Sequence, residues 1–247
     1  MPLVAELDRT FFKHGGGVVY KRKDIFDIES GGLAADHLRA IREPFSADAV
    51  PLGNAKKPET VAAKIETARE TYEHEMETAT GPYFDRAALS PVTGRVLCIA
   101  HLGHDDEDPE LLGDEDEVSL LSRWWSLASE VADQEGSLIG FNISHFDLPF
   151  LTKRSWILDV TVPTWVRSRR YWSDTFVDLM DVWGLGSREF ISLNSVARIL
   201  GVEGKADDEC TGATFAQHWA NNREAAIKYA KQDVIATKQL AEKMGVI

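Results

Sequence analysis

Cysteine and long apolar runs are the two features that this sequence most lacks. Its 247 residues include two cysteines, Cys98 and Cys210, which lie far apart and outside any metal-ligand spacing. We therefore exclude a disulfide framework and expect reduced thiols in a cytoplasmic protein. No apolar run is long enough to span a membrane. The N-terminus has neither a basic start nor an apolar core, so no signal peptide is expected.

Positive charge is also scarce, because 27 Lys and Arg face 40 Asp and Glu and give a formal net charge of −13. Such a balance argues at first against a nucleic-acid partner. Much of the acid is concentrated in residues 105–108 and 114–117, which we interpret as a solvated loop leading into a helix. Divalent cations held by carboxylates can also face a phosphate, so net charge says little about such a site.

The order of predicted elements is that of an α/β protein with a mixed β-sheet flanked by helices. β-forming residues predict strands at 25–29, 95–100 and 137–141, and a strand or strand–helix junction at 173–183. Helical spacing predicts helices at 58–78, 117–133, from about 146, 192–200 and 223–243. We expect one domain, residues 1–247, with a partly helical insertion at 31–90 between the first two core strands. The sequence Ser30-Gly31-Gly32 is expected to stop the first strand.

Two acids stand two residues apart on the first predicted strand. Side chains alternate faces along a strand, so Asp27 and Glu29 project from one face while Phe26 and Ile28 point into the core. Two acids on one face of an apolar strand are costly without a cation, and a divalent ion bridging them compensates for that cost. A solvated edge strand with outward-pointing acids explains the pair equally well when it is considered alone.

Three further candidates lie on predicted helices. Asp147 follows a buried strand and a turn through Asn142, which is where α/β proteins place their sites, although an acid interacting with the helix dipole explains it too. Tyr229 and Asp233 are four residues apart, and a helix brings such residues to about 6 Å on one face. A phenol beside a metal-bound carboxylate can hold an attacking water. An amphipathic helix with a surface acid is the alternative for that pair.

The combination resembles the DEDD 3′–5′ exonucleases of the ribonuclease H-like superfamily: an acid pair, a mid-chain acid and a tyrosine–acid pair follow in that family's order. Tyr229 is typical of the DEDDy branch, because Lys228 stands where the DEDDh branch has a histidine. The segment Ser192–Gly201 followed by Lys205 is similar to the part of this family before its third motif. From Asp27 onward the chain resembles stand-alone relatives, in phages and bacteria, of the family B DNA polymerase proofreading domain.

This resemblance implies two Mg²⁺ or Mn²⁺ ions, about 4 Å apart, and release of nucleoside 5′-monophosphates. It implies that Asp27 bridges the ions, that Glu29 and Asp233 hold the ion that activates water, and that Asp147 holds the second ion. Tyr229 orients the water.

Substrate contacts are expected from a basic and aromatic stretch, residues 153–172. The substrate-binding candidates are Asn142, Phe146, Arg167, Arg169, Arg170 and Trp172. Asn142 suits a turn equally well, Phe146 also suits packing of its helix onto the sheet, and the tryptophans of the stretch suit a core.

The expected partner is nucleic acid, with DNA favoured over RNA. We expect a monomer that has no membrane partner. Two alternatives stay open. An exoribonuclease would have identical catalytic residues, since discrimination depends on how the sugar 2′-OH is met. A nucleic-acid-binding or partner-binding module would keep the fold without the activity, and residues 31–90 offer a docking element in either case.

Overall fold

A five-stranded mixed sheet forms the centre of the protein in the computed structural model, which describes residues 21–113, 116–167, 175–187, 190–202 and 209–247. The strands lie in the order β3-β2-β1-β4-β5. β1 pairs antiparallel with β2 and parallel with β4, β2 pairs antiparallel with β3, and β4 pairs parallel with β5. Their bounds are Lys23–Gly32 for β1, Gly94–Leu102 for β2, Glu110–Leu112 for β3, Ser137–Gly140 for β4 and Phe176–Asp178 for β5.

Nine α-helices and three short 3₁₀ turns lie within the described residues. The helices are α1 Ala35–Ile41, α2 Pro58–Thr78, α3 Pro82–Asp85, α4 Glu117–Asp133, α5 Asp147–Ile157, α6 Leu179–Gly184, α7 Leu193–Leu200, α8 Phe215–Asn221 and α9 Arg223–Lys243. The 3₁₀ turns are Ala47–Ala49, Ala87–Leu89 and Thr164–Arg167. None of the helices in this described part is long and apolar enough to cross a bilayer.

Both faces of the sheet are buried, and β1 contributes to both. Phe26 and Ile28 pack into a core with α4 and α5, centred on the fully buried Trp124. Ile25, on the opposite face of the strand, packs into a second core with α7, α8 and α9. Alternation along one strand thus supplies two cores, and the face that carries the acids lies under helices. A solvated edge strand is therefore the wrong interpretation of the Asp27–Glu29 pair.

The predicted α/β fold is confirmed, and the predicted helices 58–78 and 117–133 agree with α2 and α4 residue for residue. The expected stop at Ser30-Gly31-Gly32 is wrong. β1 continues through Gly32, which pairs with Gly94 after a register shift between Glu29 and Ser30. A Cβ atom at Gly31 would lie 2.8 Å from the side chain of Leu97, so glycine here permits close packing instead of ending the strand.

Two elements outside residues 31–90 were not predicted from the sequence. The acidic stretch is not entirely loop, because β3 lies between its two runs and buries Leu112 completely. The short helix α8 precedes α9 and buries Phe215. Neither element is long enough to show a clear periodicity of apolar residues. Each owes its conformation to packing against α9 and the sheet.

Residues 33–93 form only helices and turns between β1 and β2. The Arg42 guanidinium lies 4.4 Å from the ring centres of both Tyr72 and Tyr83 and forms a 2.5 Å ion pair with buried Glu75. Ser30 in β1 donates its hydroxyl to the carbonyl of Ala88 at 2.7 Å. These contacts hold the segment together and join it to the sheet. Its status as an insertion into one domain stays a prediction.

A buried carboxylate, that of Asp24, lies at the start of β1. Asp24 has no exposed surface and accepts hydrogen bonds from the Arg22 guanidinium at 2.6 Å and from the backbone N–H of His104 at 3.1 Å. His101 Nε2 lies 2.9 Å from the same carboxylate. Burial alone would raise the pKa of Asp24, but the bonds to His101 and Arg22 outweigh it and hold that pKa below its usual value.

Asp24→Asn should lower the free energy of unfolding at pH 7 by on the order of 3 kcal/mol, because it leaves buried partners of a charge pair uncompensated. Since the pKa of Asp24 is lower in the folded state, its stabilisation is present above about pH 4 and is lost as the pH falls further. Urea denaturation at pH 7 and below about pH 4 measures the free energy of unfolding of both proteins.

Asp36→Asn is the control for this measurement, because it removes an exposed acid that pairs with Arg39 at the surface. We expect a change below about 0.5 kcal/mol for it. Equal effects of the two substitutions would contradict a stabilising role for the buried pair.

Candidate active site

Three carboxylates meet where β1 passes under α9. Oxygen atoms of Asp27, Glu29 and Asp233 all lie within 4.8 Å of one another. Glu29 and Asp233 are each 7% exposed, and Asp27 is half-buried. The strand supplies two of the acids because residues two apart share a face, and the helix that covers this face supplies the third.

The side of α9 that faces the sheet is made largely of small residues. Ala226, Ala230 and Ala241 are fully buried, with Val234 between them. Helix packing distance depends on the side chains at the contact, so alanines allow this helix to lie close to β1. The short side chain of Asp233 can therefore reach the strand.

Asp147 lies beside this cluster, at the first position of α5. It is 3% exposed, and its Oδ1 accepts the backbone N–H of Ile28 at 3.1 Å. Burial, and after it the charge of Asp27, raise the pKa of Asp147 well above the usual value of 3.8. A buried acid next to another acid is stabilised by protonation or by a bound cation. At neutral pH a bound cation allows both acids to stay ionised.

Tyr229 lies one helical turn before Asp233 and is 8% exposed. Burial first, and then the charges of Glu29 and Asp27, raise the pKa of its phenol. A backbone hydrogen bond from Gly212 has the opposite, smaller effect on this pKa. The hydroxyl is therefore protonated at neutral pH and able to donate a hydrogen bond. Phe215 of α8 packs 5.8 Å from the Tyr229 ring and fixes its position from the other side.

Asn142 and Phe146 belong to the turn between β4 and α5. Asn142 adopts a left-handed backbone with φ of 63°, and its buried Oδ1 accepts no hydrogen bond from any described residue. Phe146 packs 5.5 Å from Phe150 and also lines the cavity beside Asp147, and its contact with substrate stays a prediction.

A cavity of about 500 Å³ lies beside these side chains. Its polar lining includes Asp27, Asn142, Asp147, Tyr229 and Asp233. Its apolar lining includes Phe141, Phe146, Met180, Phe190, Ile191 and Leu193. Phe190 is 80% exposed. The sequence interpretation missed Met180, Phe190, Ile191 and Leu193, because isolated apolar residues near a helix start carry no signal that separates a cavity wall from a core.

The basic and aromatic stretch divides into described and undescribed parts. Arg169, Arg170 and Trp172 lie outside the described residues, as does the side chain of Arg167, whose backbone ends a 3₁₀ turn. Arg154 belongs to the interior, since it is 3% exposed and binds Glu117 at 2.6 and 2.9 Å. Trp165 stacks on Phe176. Both Arg154 and Trp165 thus support the core, whereas Trp156 of the same stretch is 54% exposed, so the alternative interpretation of the tryptophans holds for Trp165 and not for Trp156.

The donor set fits a hard divalent cation. Asp27, Glu29 and Asp233 offer oxygen atoms only, which suit Mg²⁺ or Mn²⁺ and disfavour zinc. Their mutual distances are short enough for one ion to contact all three. A mixed sheet with an acidic cluster on its central strand, under a covering helix, agrees with the exonuclease class that the sequence resembles.

Comparison with known proteins agrees with this class. A family model described as a predicted 3′–5′ exonuclease related to the exonuclease domain of PolB matches residues 94–244. The chain belongs to that family. The match includes Asp147, Tyr229 and Asp233, whereas Asp27 and Glu29 precede it and are joined to the others by the sheet.

The fold is also similar to a solved structure, the family B DNA polymerase from the hyperthermophilic archaeon Pyrobaculum calidifontis. The TM-score is 0.55 at 17% sequence identity, and the alignment covers 94% of this chain and 25% of that one. This chain thus spans about a quarter of the length of the polymerase, and the likeness concerns the fold. No curated protein matches the sequence.

Asp147→Asn should make the metal-free protein more stable at neutral pH. Because the pKa of Asp147 is raised, the folded state holds this proton more tightly than the unfolded chain does. The contribution is complete below about pH 4 and is lost as the pH rises through the folded-state pKa. Urea denaturation in EDTA from pH 4 to 8 should show wild type losing stability relative to the variant.

Asp133→Asn, at the exposed end of α4, is the matched control and should show no such divergence. A difference between wild type and Asp147→Asn that does not vary with pH would contradict the raised pKa.

Proposed function

We propose that this chain is a metal-dependent 3′–5′ exonuclease that hydrolyses the terminal phosphodiester of a nucleic acid, with DNA as the favoured substrate. The observation that carries the proposal is the group of three carboxylates within 4.8 Å of one another, with the protonated Tyr229 on the same cavity. Membership of the exonuclease family supports the reaction class.

The acids would hold two divalent ions, Mg²⁺ or Mn²⁺. Asp27 would be a ligand of both ions, since it lies in the three-carboxylate cluster and its charge acts on Asp147. Glu29 and Asp233 would complete the ligands of one ion, and Asp147 would bind the other. Bound ions of this kind lower the pKa of water and offset the charge of a phosphate. They would also compensate for the like charges that the fold places together.

Tyr229 has the role of orienting the nucleophile. Its hydroxyl keeps its proton, because burial and the neighbouring acids raise its pKa, so it can hold a water at a fixed position by a hydrogen bond. Attack of that water on phosphorus breaks the bond to the 3′-oxygen of the preceding nucleotide. The products are a nucleoside 5′-monophosphate and a chain shortened by one residue, whose 3′-oxygen takes up a proton.

The lining of the cavity suits both halves of a nucleotide. The carboxylates would bind the phosphate through the ions, and the apolar side chains offer surface for sugar and base. Asn142 lines the same cavity and is the candidate for a contact with a sugar hydroxyl. A volume of about 500 Å³ suits one or two unpaired nucleotides better than a duplex.

A labelled oligonucleotide should reveal the polarity of digestion. With Mg²⁺ or Mn²⁺, a 5′-labelled strand should give a ladder of shortened products, whereas a 3′-labelled strand should lose its label first as a mononucleotide. Asp27→Ala should abolish both results, because it removes the carboxylate that would bind both ions. DNA and RNA strands of the same sequence should be compared.

Asp36→Ala removes an exposed acid from α1 and should retain full activity. Digestion in EDTA, or full activity of Asp27→Ala, would contradict the proposed mechanism. Preferential digestion of RNA would move the proposal to an exoribonuclease with the same residues.

Tyr229→Phe should lower kcat by about 10–100-fold and leave KM little changed, because the lost hydrogen bond acts on the attacking water and not on the bound strand. Tyr72→Phe is the matched control, since it removes a phenolic hydroxyl that donates to the carbonyl of Glu43 in the 33–93 segment. Steady-state digestion of an oligonucleotide measures kcat and KM for both variants. An unchanged kcat in Tyr229→Phe would exclude the orienting role.

A further inference from the structure

Asp178 is a fifth acid close to the site, and its contacts differ from those of the other four. It ends β5, is 5% exposed and directly neighbours Gly140 at the end of β4. Its Oδ1 accepts the backbone N–H groups of Asn142 at 2.8 Å and Met180 at 2.9 Å. Its Oδ2 accepts the backbone N–H of Ser144 at 2.8 Å.

We propose that Asp178 is a positioning residue, which fixes the turn between β4 and α5 and thereby places Asn142 and Asp147 for metal and substrate binding. The inference rests on the proposed function, because it concerns the same site. Asp178 lies outside the cluster of Asp27, Glu29 and Asp233, and both of its oxygen atoms accept backbone N–H groups.

The turn is tightly bent and needs an external support. Asn142 is in the left-handed region, which costs an ordinary residue roughly 1–2 kcal/mol, though less for asparagine. The N–H groups of His145 and Phe146 both bond to the carbonyl of Asn142, at 3.2 and 3.1 Å. A Cβ atom on Gly140 would lie 2.3 Å from the side chain of Ile143. Residues 142 and 144 thus direct their own N–H groups away from the helix, toward Asp178.

Asp147 follows this turn directly and is fixed from two directions. Its side chain accepts the N–H of Ile28 in β1, and its backbone begins α5 where the turn ends. A shift of the turn therefore moves Asp147 relative to Asp27, and it moves Asn142 in the same step. Loss of groups that orient metal ligands typically costs 10–100-fold in metal affinity or activity.

A purely structural role for Asp178 is the competing explanation, because it is also the N-cap of α6 through Met180. Serine separates the two roles. It caps a helix about as well as aspartate does, but its single, shorter-reaching oxygen cannot serve the N–H groups of Asn142 and Ser144 together. Asp178→Ser therefore keeps the cap and removes the support of the turn.

The experiment compares Asp178→Ser with wild type by Mn²⁺ titration calorimetry and by steady-state digestion of an oligonucleotide. We expect Mn²⁺ binding weakened 10–100-fold at one of two sites, and kcat reduced 10–100-fold with KM changed less than about threefold. Asp116→Ser is the matched control. It makes the same substitution at the exposed N-cap of α4, where the side chain accepts the N–H groups of Val118 and Ser119 in its own helix, and it should match wild type in both measurements.

Unchanged Mn²⁺ binding and unchanged kcat in a folded Asp178→Ser protein would overturn the inference. If that variant shows no cooperative thermal transition, Asp178→Asn takes its place. Asparagine keeps the size of the side chain but sets an N–H₂ group against a backbone N–H, so the same losses are expected. A wild-type protein that binds Mn²⁺ but digests no strand would contradict the proposed function, while the calorimetric comparison would still decide the role of Asp178.

Discussion

Repulsion between carboxylates on a buried face of the sheet is the constraint on which this structure depends. Asp27, Glu29 and Asp233 lie within 4.8 Å of one another, and Asp147 is close enough to Asp27 for that charge to raise its pKa. Burial strengthens such repulsion, because the surrounding dielectric is low. A fold that keeps these groups together must be stabilised elsewhere, and it gains a site that a divalent cation stabilises.

Buried acids of the same protein show how a carboxylate is otherwise accommodated. Asp24 is surrounded by Arg22, His101 and a backbone N–H, and Asp178 accepts three backbone N–H groups. Each of these acids accepts hydrogen bonds at both oxygen atoms and holds two parts of the chain together. The acids of the candidate site are instead brought next to one another. This contrast distinguishes the two groups of carboxylates more clearly than burial does, since all of them except Asp27 are almost inaccessible.

The sequence predicted what depends on local periodicity. The two-residue spacing of Asp27 and Glu29 and the four-residue spacing of Tyr229 and Asp233 determine faces of a strand and a helix, and the structure brings those faces together. It did not predict what depends on distant partners. β3 and α8 form against α9, Arg154 is neutralised by Glu117 from another helix, and Asp178 gains its role only because β5 lies beside β4. Such pairings leave no periodic signal.

Small residues contribute to the site as much as the acids do. In the antiparallel pairing of β1 with β2, Asp27 is opposite Ala100 and Glu29 is opposite Cys98, and directly opposed residues share one face of the sheet. Both neighbours are fully buried in the core that also contains the alanines of α9. Larger side chains at these positions would separate the helix from the strand and carry Asp233 away from the two acids. The proposed metal site therefore depends on the packing of side chains that lie outside the carboxylate cluster.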